Sequence, residues 1–281
     1  MFGPPFFDFW KNRQNRIQRL GRKKIMRALL LSDIHANIDA LQAVLAAAPA
    51  YDVVWNLGDI VGYNAAPAAV LEQCQSLGKI FVRGNHDRAC AGQVDLETFN
   101  GVAAAAVRWT QKQLSPDMLE WLAQLPSGPR SPADYNSAPA GVHCMHGSPC
   151  DEDEYMLSEE DALTQLPCAR APINFFGHTH VQGGFAFDSA GDCAEILPGM
   201  TGEPAVEQWE LPLRPGLRYF LNPGSVGQPR DGDWRAAFAI YDDAAALLTF
   251  WRVPYDVRMA QIRIQRAGLP DRLAMRLRAG R

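Results

Sequence analysis

Six histidines stand in this 281-residue chain, and five of them fall in short polar runs with aspartate, asparagine or glycine. The runs are Asp33-Ile34-His35-Ala36-Asn37, Gly84-Asn85-His86-Asp87, His146-Gly147-Ser148-Pro149 and Gly177-His178-Thr179-His180; Gly58-Asp59 adds an acid without a histidine. A carboxylate and an imidazole two residues apart make half a site for a metal ion. Asparagine adds a neutral carbonyl oxygen, and histidine is either a ligand or a proton donor. Each run alone is a weak signal. Glycine, asparagine and aspartate are also turn residues, and Asn37 stands where a helix cap would stand.

The elements that must position these side chains are short apolar segments. Residues 28–31, 51–57, 79–83, 142–145 and 173–176 read as buried strands, and each leads into one of the polar runs. Helical spacing predicts helices over 38–48 and 68–77, so the first three strands form parallel βαβ units. In open α/β sheets, ligands collect beyond the carboxyl ends of the strands. Asp33 and His35, Asp59, and Asn85 with His86 then share one rim. Alternation along extended chain puts Asp33 with His35, and His178 with His180, on one side. The same alternation turns His143 away from His146, so His143 is expected to be structural.

Apolar residues make up 47% and charged residues 21%, the balance of an ordinary globular chain. No apolar run approaches the roughly 18 residues of a membrane span. The six cysteines form no CxxC pair, and they are expected to be reduced thiols of a cytoplasmic protein. Net charge is −4, but residues 1–25 hold seven of the 27 basic residues and one of the 31 acids, leaving −10 on the remainder. An acidic body argues against a double-stranded nucleic acid partner bound through phosphate contacts. It fits a domain that takes up cations. Residues 1–25 are aromatic, then basic, and read as a disordered extension or as a membrane-surface or partner-binding arm. Residues 26–281 read as one domain.

Residues 91–126 read as mainly helical, with Ser115-Pro116-Asp117 as a helix start. Residues 127–140 read as an exposed loop, and Asp151-Glu152-Asp153-Glu154 as a solvated acidic face. From 183 to 253 short β-segments and turns suggest a second, more antiparallel sheet packed on the first. The Gly/Pro-rich loop 222–230 offers backbone N–H groups and Arg230 to an anion. One or two amphipathic helices close the chain over 256–279.

Taken in order, the five polar runs resemble the motif series of the calcineurin-like metallophosphoesterase superfamily. The resemblance spans nearly everything from Met26 on, and residues 222–230 and Tyr255-Asp256-Val257 are similar to its bacterial and archaeal small phosphoesterases. It implies an α/β (α+β) fold: a four-layer αββα sandwich, two mixed sheets face to face and flanked by helices. It implies two divalent transition metals about 3.5–4 Å apart. Carried over by position, Asp33, His35, Asp59 and His180 hold one ion; Asp59, Asn85, His146 and His178 hold the other, with Asp59 bridging. Mixed nitrogen and oxygen ligands suit manganese first, and iron, zinc, cobalt or nickel as well. A metal-bridging hydroxide would attack the phosphoester in line, and His86 would protonate or stabilise the leaving oxygen. Arg83, Arg230 and Asn37 are candidates for substrate binding.

One position departs from the family's protein-phosphatase branch. There a second aspartate, three residues after the Gly-Asp acid, orients the catalytic histidine; here that position is Gly62, with Asp87 a possible replacement. The departure favours a phosphodiesterase or phosphatase of small substrates. The alternatives are a protein serine/threonine phosphatase, a dinucleoside polyphosphate hydrolase, or a non-catalytic scaffold of the retromer-subunit type. Selectivity is expected in loops 60–67, 127–140 and 150–165.

Overall fold

Strand β1 (Arg27–Leu31) is apolar after its first residue and buried on both faces, so it can only lie inside a sheet that is covered on both sides. A computed structural model describes residues 26–78, 80–135 and 141–281; the basic extension 1–25, Lys79 and residues 136–140 lie outside the described residues. On one edge of β1, β2 (Val53–Asn56) pairs in parallel, and β3 (Ile80–Phe81) follows it. Helices α1 (Ile38–Ala47) and α2 (Pro67–Leu77) make the two crossovers. On the other edge, β10 (Ala236–Asp242) pairs antiparallel with β1, followed by β11 (Leu247–Val253) and β8 (Glu207–Pro212). This six-stranded sheet runs β3-β2-β1-β10-β11-β8.

The second sheet runs β4-β5-β9-β6-β7. Its strands β4 (Val142–Cys144), β5 (Ile173–Phe175) and β9 (Arg218–Asn222) are parallel, while β6 (Gly183–Phe187) and β7 (Cys193–Ile196) are antiparallel. Residues 183–253 therefore do not form a sheet of their own, as the run of short strands suggested. They are divided between both sheets. The physical reason is visible in β10, buried along six of its seven residues: such a strand needs cover on both faces, which the place beside β1 supplies.

Alternation along β1 shows the layers. Leu29 and Leu31 pack toward the helices, with Ile38, Leu41 and Val44 of α1. Ala28 and Leu30 point into the layer between the sheets, with Trp55, Phe175, Leu221 and Phe250. A third apolar layer, with Phe176, Phe187 and Phe220, covers the far side of the second sheet. Fully burying one such large side chain contributes roughly 1.5–3 kcal/mol. Helices outside and two mixed sheets inside make the four-layer αββα sandwich. Helices α3 (Asn85–Cys90), α4 (Gly101–Gln113) and α5 (Pro116–Ala123) follow β3, and α6 (Glu159–Gln165) lies between β4 and β5. Two helices, α7 (Val257–Arg266) and α8 (Asp271–Ala279), close the chain.

Cap signals in the sequence act as expected. Asn37 Oδ1 accepts from Ala40 N at the start of α1, and Ser115 Oγ accepts from Met118 N at the start of α5. One expectation is corrected: Cys150 and Cys168 form a disulfide, while Cys74, Cys90, Cys144 and Cys193 are free thiols. The turn after β4 and the end of α6 bring Cys150 and Cys168 together across 18 residues, which spacing alone did not reveal. No helix among the described residues is long and apolar enough to cross a membrane.

Candidate metal centre

The extended alternation expected after β1 and β5 does not occur. Asp33, His35, Asp59, His178 and His180 all have left-handed backbone, with φ between 48° and 65°. Turns, not strand pleats, aim these side chains. Each such residue costs on the order of 1–3 kcal/mol and persists only where its surroundings fix it. Here backbone bonds do so: Asp33 N donates to Gly58 O (3.0 Å), His35 N to Asp59 O (2.9 Å) and Gly227 N to Asp33 O (3.0 Å). Asn85 and His86 do not end a strand; they open helix α3. The His86 N–H donates to Asp59 Oδ1 at 2.9 Å. Gly84 permits this approach, since a Cβ there would lie 2.0 Å from that oxygen.

Two buried groups of ligand-type side chains result. One holds Asp33, His35, Asp59 and His180; the other holds Asp59, His146 and His178. Within each group the ligand-type atoms lie within 4.8 Å of one another, and Asp59 belongs to both. Asn85 joins the second, its Oδ1 3.4 Å from His146 Nε2. Each of the four imidazoles sets one ring nitrogen against a backbone carbonyl. His35 Nδ1 meets Val61 O (3.1 Å), His146 Nδ1 meets Leu57 O (2.8 Å), His178 Nε2 meets Asp153 O (3.1 Å) and His180 Nδ1 meets Gln228 O (2.6 Å). Such backing fixes the tautomer and leaves the other nitrogen free to ligate. Three of those other nitrogens face carboxylates: His146 Nε2 and His35 Nε2 each lie 3.5 Å from Asp59 Oδ2, and His180 Nε2 lies 3.2 Å from Asp33 Oδ1. Asp33 Oδ1 is buried without an aligned hydrogen bond. Buried carboxylates beside imidazole nitrogens that the backbone leaves unbonded fit a divalent cation.

The electrostatics agree. Burial pushes the Asp33 carboxyl up, but the imidazoles of His180 and His146 beside it together outweigh this and leave Asp33 well below the usual range. Burial holds His178 down at about 3 and lowers His35 and His180, which keeps these rings neutral, the form that binds metal. His146 differs. Burial opposes its charge, but the Asp59 carboxylate overcomes this and holds it up at about 10. A cation taken up there must displace that proton.

His86 lies beside both groups and is built differently. No backbone carbonyl stands behind it: its Nδ1 is buried and has no partner. Rings hold it instead, with Tyr63, His35 and Phe99 at 4.3, 4.9 and 5.2 Å between centroids. Burial holds its pKa at about 4. Asp87 does not take the orienting role. Its oxygens accept from Ile60 N, Val61 N and Gly84 N, bracing the loop after Asp59. The seat of the missing aspartate is Gly62, whose φ is +92°; a Cβ there would lie 2.6 Å from His86 Nδ1.

A cleft of about 280 Å³ opens onto both groups, lined in addition by Tyr63, Arg88, Phe99, Asp153, Tyr155 and Arg230. Arg230 was expected here. Arg83 is not part of the lining: it forms a two-pronged ion pair with Glu152 (3.0 and 2.8 Å). Asn37 is also committed, donating to Gly227 O at 2.9 Å while it caps α1. The backbone N–H groups of loop 222–230 are not open to an anion either, since Val226, Gly227 and Arg230 donate to Ser32 O, Asp33 O and His180 O. Asp151, Asp153 and Glu154 of the acidic run are exposed, as expected of a solvated face, but Glu152 is not. Glu152 pairs with Arg83 and Arg88, and Tyr155 stacks on His178 at 3.8 Å. Loops 60–67 and 150–165 reach the cleft as expected; the described part of 127–140 does not. The stretch 94–103 was missed, because Val94, Phe99 and Asn100 carry no chemical signature and read as part of a helix. His143 lies on β4 outside both groups.

An uncharacterized protein of Methanocaldococcus jannaschii is 31% identical over 258 residues, covering 90% of this chain and 97% of that one. The crystal structure of a metallophosphoesterase from Sphaerobacter thermophilus is 38% identical, with a TM-score of 0.77 over 92% of this chain and all of that one. A hypothetical protein from Pyrococcus horikoshii shares the fold at 18% identity, with a TM-score of 0.68 over 91% of this chain and 98% of that one. The model of the calcineurin-like phosphoesterase superfamily domain matches residues 26–244, and the chain belongs to that superfamily.

Proposed function

We propose that the chain hydrolyses the phosphoester bonds of small substrates with two divalent cations, manganese first among them. Asp33, His35, Asp59 and His180 would hold one ion, and Asp59, Asn85, His146 and His178 the other. The observation that carries this reading is the set of four imidazoles grouped around two buried carboxylates, each ring backed by a backbone carbonyl. When bound, such ions acidify water and neutralise phosphoryl oxygens.

The side chains of the chain do the rest. Arg230 lines the cleft with no aspartate or glutamate paired to it among the described residues, and would offer its guanidinium to a phosphoryl group. Tyr63 and Phe99 pack the His86 ring from two sides and keep water from it. With its pKa near 4, His86 is neutral at neutral pH, so it serves by giving a hydrogen bond from an imidazole N–H to the leaving oxygen rather than as an imidazolium. Substitution of Gly62 for an acid leaves that ring without a carboxylate behind it, which supports small esters over phosphoproteins.

The test is direct. Protein stripped with a chelator should be inactive on bis-p-nitrophenyl phosphate and p-nitrophenyl phosphate, and manganese should restore turnover. Asn85→Ala and His178→Ala should lower the bound metal measured by elemental analysis. A stripped and reloaded protein that binds no transition ion and cleaves neither ester would leave the scaffold reading in its place.

A further inference from the structure

Two guanidiniums share the ring of Tyr63 at the rim of the cleft. Arg230 lies 5.8 Å and Arg276 6.0 Å from its centroid. Arg276 sits on α8, far along the chain from every motif. Both arginines are half-buried, and among the described residues neither pairs with an aspartate or glutamate side chain. Arg230 donates to the Tyr63 phenol and to Gln228 Oε1 only at 3.4 Å each; its buried Nε has no partner, and neither has the buried Nε2 of Gln228. Arg276 spends its Nε–H on the main-chain oxygen of Arg281, the last residue of the sequence, at 2.7 Å. The contrast is with Arg83, which pairs with Glu152, and Arg88, which pairs with Glu152 and Asp153. Burial, then the charge of Arg230, holds the Arg276 guanidinium below its ordinary value. Two neighbouring cations with unspent donors are costly to keep partly out of water until an anion joins them.

We infer that Arg230 and Arg276, set around Tyr63, form an anion subsite beside the metal pocket, and that, on the phosphoesterase reading above, the preferred substrate carries a second phosphate beyond the one that is cleaved. The subsite recognises phosphate through charge-assisted hydrogen bonds. It explains why an arginine of the last helix is held against a ring of the loop after Asp59.

Two measurements separate this subsite from the reading it rests on. In the first, orthophosphate is titrated into the metal-free intact chain by calorimetry. Wild type binds it, Arg276→Gln binds about tenfold more weakly, as expected for one lost charge-assisted contact, and Arg276→Lys recovers part of the loss. In the second, the manganese-loaded chain is assayed on ADP and on p-nitrophenyl phosphate, and the ratio of kcat/KM for ADP over the simple ester falls about tenfold in Arg276→Gln. No phosphate binding by wild type, or equal binding by wild type and Arg276→Gln, overturns the subsite. A ratio that Arg276→Gln does not move overturns the second phosphate. Failure of the loaded wild type to cleave either compound overturns the substrate assignment, while the calorimetry still decides the subsite.

Discussion

His86 and His146 show how one residue type is put to different uses by what stands behind the ring. His146 has the Leu57 carbonyl on one nitrogen and Asp59 on the other, whereas His86 has only rings around it and an unpartnered Nδ1. Replacing His86 with glutamine should therefore leave metal content intact and lower kcat by roughly 10²–10⁴, the usual worth of a positioned proton-handling group. Elemental analysis beside steady-state kinetics separates the two effects; loss of metal with the rate would make His86 a ligand. His146 makes a prediction about pH. Its folded pKa, about 10, lies above its ordinary 6.5, so the charged form stabilises the metal-free fold. That stability is fully present below 6.5 and is lost as pH climbs toward 10. Thermal melts of the metal-free chain between these limits should show a falling Tm, and His146→Gln should flatten the slope.

The elements decide where these residues meet, and here the sequence was legible in some places and opaque in others. Strands β1, β2 and β5 were readable because apolar runs of that length, ended by polar residues, have few other uses. The turns were not readable. Left-handed backbone at Asp33, His35 and His180 is fixed by long-range hydrogen bonds to loops 58–60 and 225–230, and at His178 by its N–H on Asp33 Oδ2; aspartate and histidine tolerate this conformation better than most residues, but that preference is too weak to announce it. The partners of Arg83 and Asp87 were hidden for the same reason, since Glu152 and the Ile60 and Val61 N–H groups are remote in sequence. Asn37 was read both as a cap and as a candidate for substrate binding, and the hydrogen bonds it makes are those of a cap that also ties α1 to Gly227. Asn37→Ala should cost about 1 kcal/mol, as lost caps do, and lower Tm with KM unchanged. A raised KM at unaltered Tm would instead return Asn37 to the substrate.

At the scale of the molecule, the candidate metal centre joins both sheets. Asp33 and Asp59 follow strands of the first, while His146 and His178 follow strands of the second. Cation binding should therefore hold the two halves of the sandwich together. At a free manganese concentration about 100 times Kd, ligand linkage raises stability by about 2.7 kcal/mol. Differential scanning calorimetry with and without manganese should show this as one transition moved upward. Two transitions, with only one responding, would mean that the sheets unfold separately.

The carbonyl groups behind the four imidazoles have one more implication. They belong to Leu57, Val61, Asp153 and Gln228, and a peptide oxygen stays in place whichever side chain its residue bears. Point mutation can alter the packing at those four positions but cannot delete the acceptor. Ring tautomers in this pocket are thus sheltered from genetic drift, and altering them takes an insertion, a deletion or a proline that reroutes the main chain.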